Sequence, residues 1–363
     1  MSIIHKVALS FIEGIGHVHA GNLLTYFGSA EAVFKASKKE LLAIDGIGAA
    51  RVQHILNTNA LKLAEQQLKI IERQKIEILF YSDDNYPRRL RQCADAPIVL
   101  YYKGTADLNH PRMVSVVGTR KATDYGRRLC EQLAAELMRY DVVLVSGLAF
   151  GIDVAAHQEC LKRGVSTIGV LGHGLDRIYP SLHTNIAQQM AQNGGLLTEF
   201  PFGTNPDKEN FPKRNRIIAG MTDATIVVEA TAKGGALITA DIANSYSRDV
   251  YAFPGRTTDQ YSEGCNHLIK NNSAALINHS KDLIHYMGWN DVKLPQFAVQ
   301  RNLDVNLIDE EKQIIDLLRR SPALIDEISA ATSIPQSKLA IHLLNLEIQG
   351  LLTVLPGKIY NLI

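Results

Sequence analysis

The chain has 363 residues, 46% hydrophobic and 21% charged, with a net charge of +1 at neutral pH. That length holds two or three domains and a large core, and the near-zero charge excludes a general attraction to polyanions, so any nucleic-acid contact needs locally gathered cations. No apolar run nears the ~20 residues that cross a bilayer, MSIIHKVALSF lacks a secretory h-region, and Cys93, Cys130, Cys160 and Cys265 form no CxxC, which disfavours zinc and disulfides and predicts a reducing cytoplasm.

Residues 1–74 read as short helices punctuated by two similar turns, Glu13-Gly14-Ile15-Gly16 and Asp45-Gly46-Ile47-Gly48. The second resembles the hairpin of a helix-hairpin-helix module, whose glycines permit a tight turn with amides that can meet a phosphate. A small bundle that uses the same turn only for packing fits equally well. From Lys75 two strand-like runs follow, Ile76–Tyr81 and Ile98–Tyr102, with turn chemistry between them. They are expected to extend the sheet that begins at Met113, so the domain boundary is set near residue 75.

Residues 75–289 alternate regularly between Val/Ile/Leu runs and helical stretches. The expected strands are Met113–Val117, Val142–Ser146, Thr167–Leu171, Leu196–Glu199, Thr225–Glu229 and Val250–Phe253, with a short Ala274–Ile277 run closing the series. This is the pattern of an α/β, doubly wound, mostly parallel sheet of extended Rossmann type, covered on both faces. Ligands of such sheets lie beyond the carboxyl ends of the strands.

Five strand-end loops are informative. Gly118-Thr119-Arg120 puts an arginine fork where a dinucleotide fold needs a second glycine, so phosphate would be held by side chain rather than bare backbone. Ser146-Gly147, at the next strand end, replaces the acid that an NAD site needs for its ribose, which disfavours redox chemistry. Gly172-His173-Gly174 has no carboxylate or cysteine partner for a metal, and His157, His173 and His183 read as surface or packing residues. The fourth loop runs into a helix expected to open at Pro212, with Phe211, Lys213, Arg214, Asn215 and Arg216 together. Three cations at a helix start oppose the macrodipole, so that helix is expected to face an anionic partner, with Phe211 free to stack on a base. The fifth, Lys233-Gly234-Gly235, is a glycine turn before a helix start. These loops supply cations, amides and one aromatic, but no nucleophile with a base, no spaced carboxylate pair and no metal cluster. A binding surface for a phosphate polymer is expected, with no catalysis, metal or cofactor.

GTR followed by ATDYG, SGLAFGIDVAAH, LGHGLDRIYP, TEFPFG, NFPKRNRIIAG, GALITA, VYAFPG and EGCNHLIKNNSAAL, across residues 75–288, resemble the DNA-processing protein A (DprA/Smf) family. The resemblance implies an extended Rossmann domain that binds single-stranded DNA as a homodimer and loads RecA recombinase onto incoming strands during natural transformation. Binding positions transfer to Arg120 and the Phe211–Arg216 block, and then to Ser146, Gly147, Gly234 and Gly235; Gly118 and Lys233 join them as candidates from their own loops. Two departures stand out: the family's SGSL serine is absent from Gly234-Gly235-Ala236-Leu237, and Ser181 replaces a basic residue after Tyr179-Pro180. A distant likeness to LOG-type nucleoside-monophosphate phosphoribohydrolases gives an enzymatic alternative. Those enzymes need a glutamate soon after the glycine turn, where the nearest acid is Asp241.

Residues 290–305 are polar and irregular, a linker. Residues 306–363 read as three helices and a hairpin, a winged-helix domain. From Asp304 onward eight acids oppose five Lys/Arg, the wrong sign for firm phosphate contact. A protein contact or packing role is expected there.

Overall fold

The protein's structure, a computed structural model, describes residues 3–289, 308–319, 322–349, 351–355 and 359–362. The linker expected at 290–305 lies outside the described residues, as does the Pro356-Gly357 turn of the hairpin. The chain divides into two compact units, Met1–Leu294 and Pro295–Ile363.

The first unit is built on a nine-stranded sheet. Its strands are β1 Glu77–Phe80, β2 Val99–Gly104, β3 Met113–Val117, β4 Val143–Ser146, β5 Thr167–Val170, β6 Gly194–Thr198, β7 Ala224–Val227, β8 Asp249–Ala252 and β9 Ala275–Leu276. Their order is β1-β2-β6-β5-β4-β3-β7-β8-β9. From β6 to β9 all pairings are parallel; β1 and β2 extend the sheet, as expected of the runs before Met113, and join it antiparallel at one edge. β3 through β5 are fully buried apolar strands with Ser115, Ser146 and Thr167 as their only polar members. Both faces are therefore covered: one by Ile217, Ile218, Ala240 and Leu268, the other by Leu129, Leu133, Ala156 and Leu283. The order reverses at β3, where the chain leaves toward β4 and returns as β7. This is the crevice position where such sheets hold ligands.

Six helices precede β1. The paired glycine turns are alike: Gly14 (φ +75°) and Gly46 (φ +79°) take left-handed backbone that a Cβ would strain, while Ile15 and Ile47 are buried. Arg51 ties the two together, donating to Gly14 O (3.0 Å) and Gly46 O (3.1 Å), and His54 Nδ1 lies 2.9 Å from Glu13 O. The flanking charge thus serves the turns themselves. The apolar core of these helices continues through Ile76, Phe80, Ile98, Val99 and Tyr101, so packing runs on past residue 75. Gln67 further donates to Phe202 O (3.1 Å) and accepts from Phe202 N (3.0 Å).

The second unit is a winged helix: helices Asp309–Leu318, Ile325–Thr332 and Gln336–Ile348 with a three-stranded sheet of β10 Ala323–Leu324, β12 Ile359–Leu362 and β11 Leu352–Leu355. Its third helix exposes Ile341 and Leu344, and Lys338 Nζ lies 2.7 Å from Glu310 Oε1. That lysine is already neutralised, in keeping with the acidic balance of the segment.

Candidate functional site

The loops after β3, β4, β5 and β7 converge at the carboxyl edge of the sheet. After β3, Thr119 N donates to Glu229 O (2.7 Å) and Ile152 N to Thr119 O (3.1 Å), stitching the loop to its neighbours on both sides. Gly118 is half-buried where a Cβ would stand 2.4 Å from Ile152 Cγ1. The backbone is thus fixed, and the exposed Arg120 side chain projects from it. Its guanidinium carbon lies 5.7 Å from the Phe211 ring centroid, and among the described residues no carboxylate pairs with it. A guanidinium over an aromatic face keeps its charge and its hydrogen-bond donors available to a ligand.

Phe211 comes from the helix Asn210–Gly220, which opens two residues before Pro212. Lys213 and its neighbours therefore fall beyond the first three positions, which removes most of the dipole conflict that the sequence implied. The three cations also part company. Lys213 is exposed. Arg214, about 100° further round the helix, is only 4% exposed; it donates to Val170 O (2.7 Å) and lies 6.0 Å from the Phe211 centroid. Arg216 is ion-paired with Glu199 and donates to Asp95 O. The expectation of three cations facing one partner is corrected: Lys213 is free to do so, while Arg214 and Arg216 are committed inside the fold. Asn215 is half-buried.

Arg214 explains the Ser146-Gly147 loop. A Cβ on Gly147 would stand 1.9 Å from Arg214 Nη1, so the backbone passes directly over the guanidinium. Ser146 and Gly147 are themselves buried, with Ser146 Oγ donating to Val116 O at 2.6 Å. They lie beneath the exposed side chains of this edge, where they were expected to be direct contacts. Asp153, which the sequence places only at the start of the next helix, is the buried counter-charge. Burial raises its carboxyl pKa, while Arg214, the backbone of Ala149 and Gly147 and the Ser146 side chain oppose that rise. Burial, together with the nearby charge of Arg120, brings the Arg214 pKa down to about 10, leaving the side chain cationic at neutral pH.

The three histidines are packing residues, as expected. His157 Nδ1 is 2.7 Å from Thr167 Oγ1, and burial, with Arg214 and His183 nearby, pushes its pKa down to about 3. His173 is lowered by burial too and accompanies Gly174 O at 2.9 Å. His183 Nδ1 lies 2.9 Å from Leu148 O. The exposed Lys233 and Gly235 and the half-buried Gly234 form the start of the helix Gly235–Ser245. No atom lies within 4 Å of where a Gly235 Cβ would be, so nothing inside the protein requires glycine there. Glu229 accepts from Thr123 N (3.0 Å) and from the Thr123 hydroxyl, and Asp241 is exposed. The arrangement does not favour the phosphoribohydrolase alternative.

Residues 77–288 match the family model described as DNA recombination-mediator protein A, residues 302–358 the DprA winged helix domain, and residues 7–58 the SAM-like helix-hairpin-helix tandem. Protein Smf of Synechocystis is 33% identical, covering 98% of this chain and 97% of that protein. DNA processing protein DprA of Streptococcus pneumoniae is 41% identical, covering 59% of this chain and 75% of that protein. The X-ray structure of S. pneumoniae DprA superposes with a TM-score of 0.65 at 33% identity, covering 78% of this chain and 96% of that one. A structure of Helicobacter pylori DNA processing protein A, concerned with that protein's single-stranded DNA binding mode, gives a TM-score of 0.54 at 31% identity over 59% of this chain and 95% of that one. Family models, full-length relatives and solved structures agree, and the chain belongs to the DNA processing protein A (DprA/Smf) family of DNA recombination mediators.

Proposed function

We propose that this chain is a non-catalytic, cytoplasmic single-stranded DNA-binding protein that acts as a homodimer, protects incoming strands and hands them to RecA recombinase. The observation that carries the reading is the Arg120 guanidinium seated on Phe211 at the sheet's reversal point, with no internal carboxylate to neutralise it among the described residues. Lys213 and Lys233, on two further strand-end loops, are exposed cations as well. Arg120, Phe211, Lys213 and Asn215 are the proposed contacts, with Gly118, Lys233 and the Gly234-Gly235 amides lining the path. Ser146, Gly147, Arg214 and Arg216 hold those groups in position. Segments 1–74 and 306–363, on either side of the 75–289 domain and the 290–305 linker, serve as accessory domains in this reading. Kinship with a protein studied for its single-stranded DNA binding supports it.

Fluorescence anisotropy against single- and double-stranded oligonucleotides over a salt series tests the proposal. Binding should weaken steeply with salt, and Arg120→Ala or Lys213→Ala should each flatten the log–log slope by about 0.7, the value of one single-strand phosphate contact. Salt-independent binding, or slopes that neither substitution changes, would refute it.

A further inference from the structure

The strand-end edge carries more apolar surface than its cations require. Phe150, after β4, is 42% exposed; Tyr179 and Leu182, after β5, are 48% and 80% exposed. These residues are not scattered. Phe150 packs edge-on against His183 with centroids 5.0 Å apart, and His183 is anchored to Leu148 O, so the two loops are locked together. Tyr179 reaches back to Phe211 at 6.0 Å, and Phe211 supports Arg120. Arg120, Phe211 and Tyr179 are thus linked in turn, the Ser181–His183 turn follows Tyr179, and Phe150 joins that turn through His183 while Gly151 beside it lies against the Arg120 backbone. Exposed Lys121 follows Arg120 in the same loop. Among the described residues neither side chain is paired with a carboxylate, and the Tyr179 hydroxyl has no hydrogen-bond partner.

Rings left in water beside free cations suit a ligand with anionic charge along one side and flat faces along the other. We propose that Tyr179 and Phe150, with Leu182 between them, form a stacking wall for unpaired nucleobases of the strand whose phosphates sit at Arg120. The inference rests on the single-strand reading above and adds what that reading lacks, a physical basis for preferring single strands. In a duplex the base faces are already stacked on their neighbours, so the wall has nothing to take up. An unpaired base can turn its face to any ring without regard to sequence. A protein ligand is the competing occupant, and the cations Arg120 and Lys121 argue for the nucleic acid.

The test compares oligothymidylate with an abasic oligonucleotide of equal length, using the full chain. The wild type should bind the abasic strand more weakly. Tyr179→Ala and Phe150→Ala should each lower thymidylate affinity by roughly tenfold, the scale of one lost base stack, with the salt slope unchanged because no phosphate contact is lost. Their affinity for the abasic strand should equal the wild type's, and Tyr179→Phe should bind thymidylate normally. Equal wild-type affinity for the two strands overturns the wall and leaves the single-strand reading standing. Equal losses on both strands in the alanine variants also overturn it, because the rings then only support the loops. If the wild type binds neither strand, the single-strand reading falls and the wall with it.

Discussion

Arg214→Ala separates a supporting role from a contact role. The side chain is 4% exposed, donates a charged hydrogen bond to Val170 O at 2.7 Å and is the cation whose charge offsets buried Asp153. Loss of a charged hydrogen bond costs about 1.5–3 kcal/mol, and breaking a buried ion pair about 3–5 kcal/mol. Arg214 and Asp153 act on each other through space rather than in direct contact, so the lower end applies, about 3 kcal/mol. Unfolding entropy near 2.1 cal/mol/K per residue, taken over the unit ending at Leu294, converts this to a fall in Tm of about 5 °C. The pH dependence gives a second reading. The folded-state pKa of Asp153 is raised, so the folded chain keeps this proton to higher pH than the unfolded chain. Its contribution to stability therefore improves as pH falls through that window, and removing Arg214 widens the window. The variant's deficit should therefore shrink as pH is lowered from neutral. Calorimetric melts of both proteins from neutral pH downward provide the assay. An unchanged Tm at neutral pH combined with lost DNA binding would refute the argument and return Arg214 to the contacts.

Gly147→Ala drives a methyl into the Arg214 guanidinium, where 1.9 Å is available; overpacking of this kind costs about 1–3 kcal/mol, measured by the shift in urea midpoint at constant m. The four cysteines are buried, and burial pushes the thiols up, to about 12 for Cys130 and Cys265 and about 11 for Cys93. The native protein should therefore react slowly with Ellman's reagent at neutral pH, and all four thiols should appear on unfolding in guanidinium. Fast labelling of the folded chain would contradict that burial.

The sheet was legible because continuous Val/Ile/Leu strands have no other stable home than a sheet covered on both faces. Met113–Val117 came through with both its ends correct. The element least visible in the sequence is Arg88–Arg91, a single turn whose three arginines and one leucine carry no periodicity. At the site, Gly118 and Arg120 were readable because a missing glycine and an added fork have local consequences. The helix beginning at Asn210 was misread because charge alone does not give helical phase. Lys213, Arg214 and Arg216 look equivalent in one dimension and point to different surroundings in three. The burial of Asp153 was missed for a related reason: its partner lies some sixty residues away, and nothing near it in sequence marks it as buried. Phe150 and Tyr179 gave no signal because an aromatic in a loop reads equally well as core or surface until its exposure is known.

The Gln67–Phe202 pair has a consequence for communication within the first unit. Phe202 belongs to a loop that Gly203 N→Asp176 Oδ1 (2.9 Å) and Gly174 N→Thr204 O (3.2 Å) fasten to the turn leading to Tyr179. Gln67 grips the same loop from the helix Ala60–Arg73. If a ligand shifted the Tyr179 turn, the same bonds would carry the strain to the amino-terminal helices, and amide exchange around Gln67 would then gauge occupancy of the sheet edge from a distance.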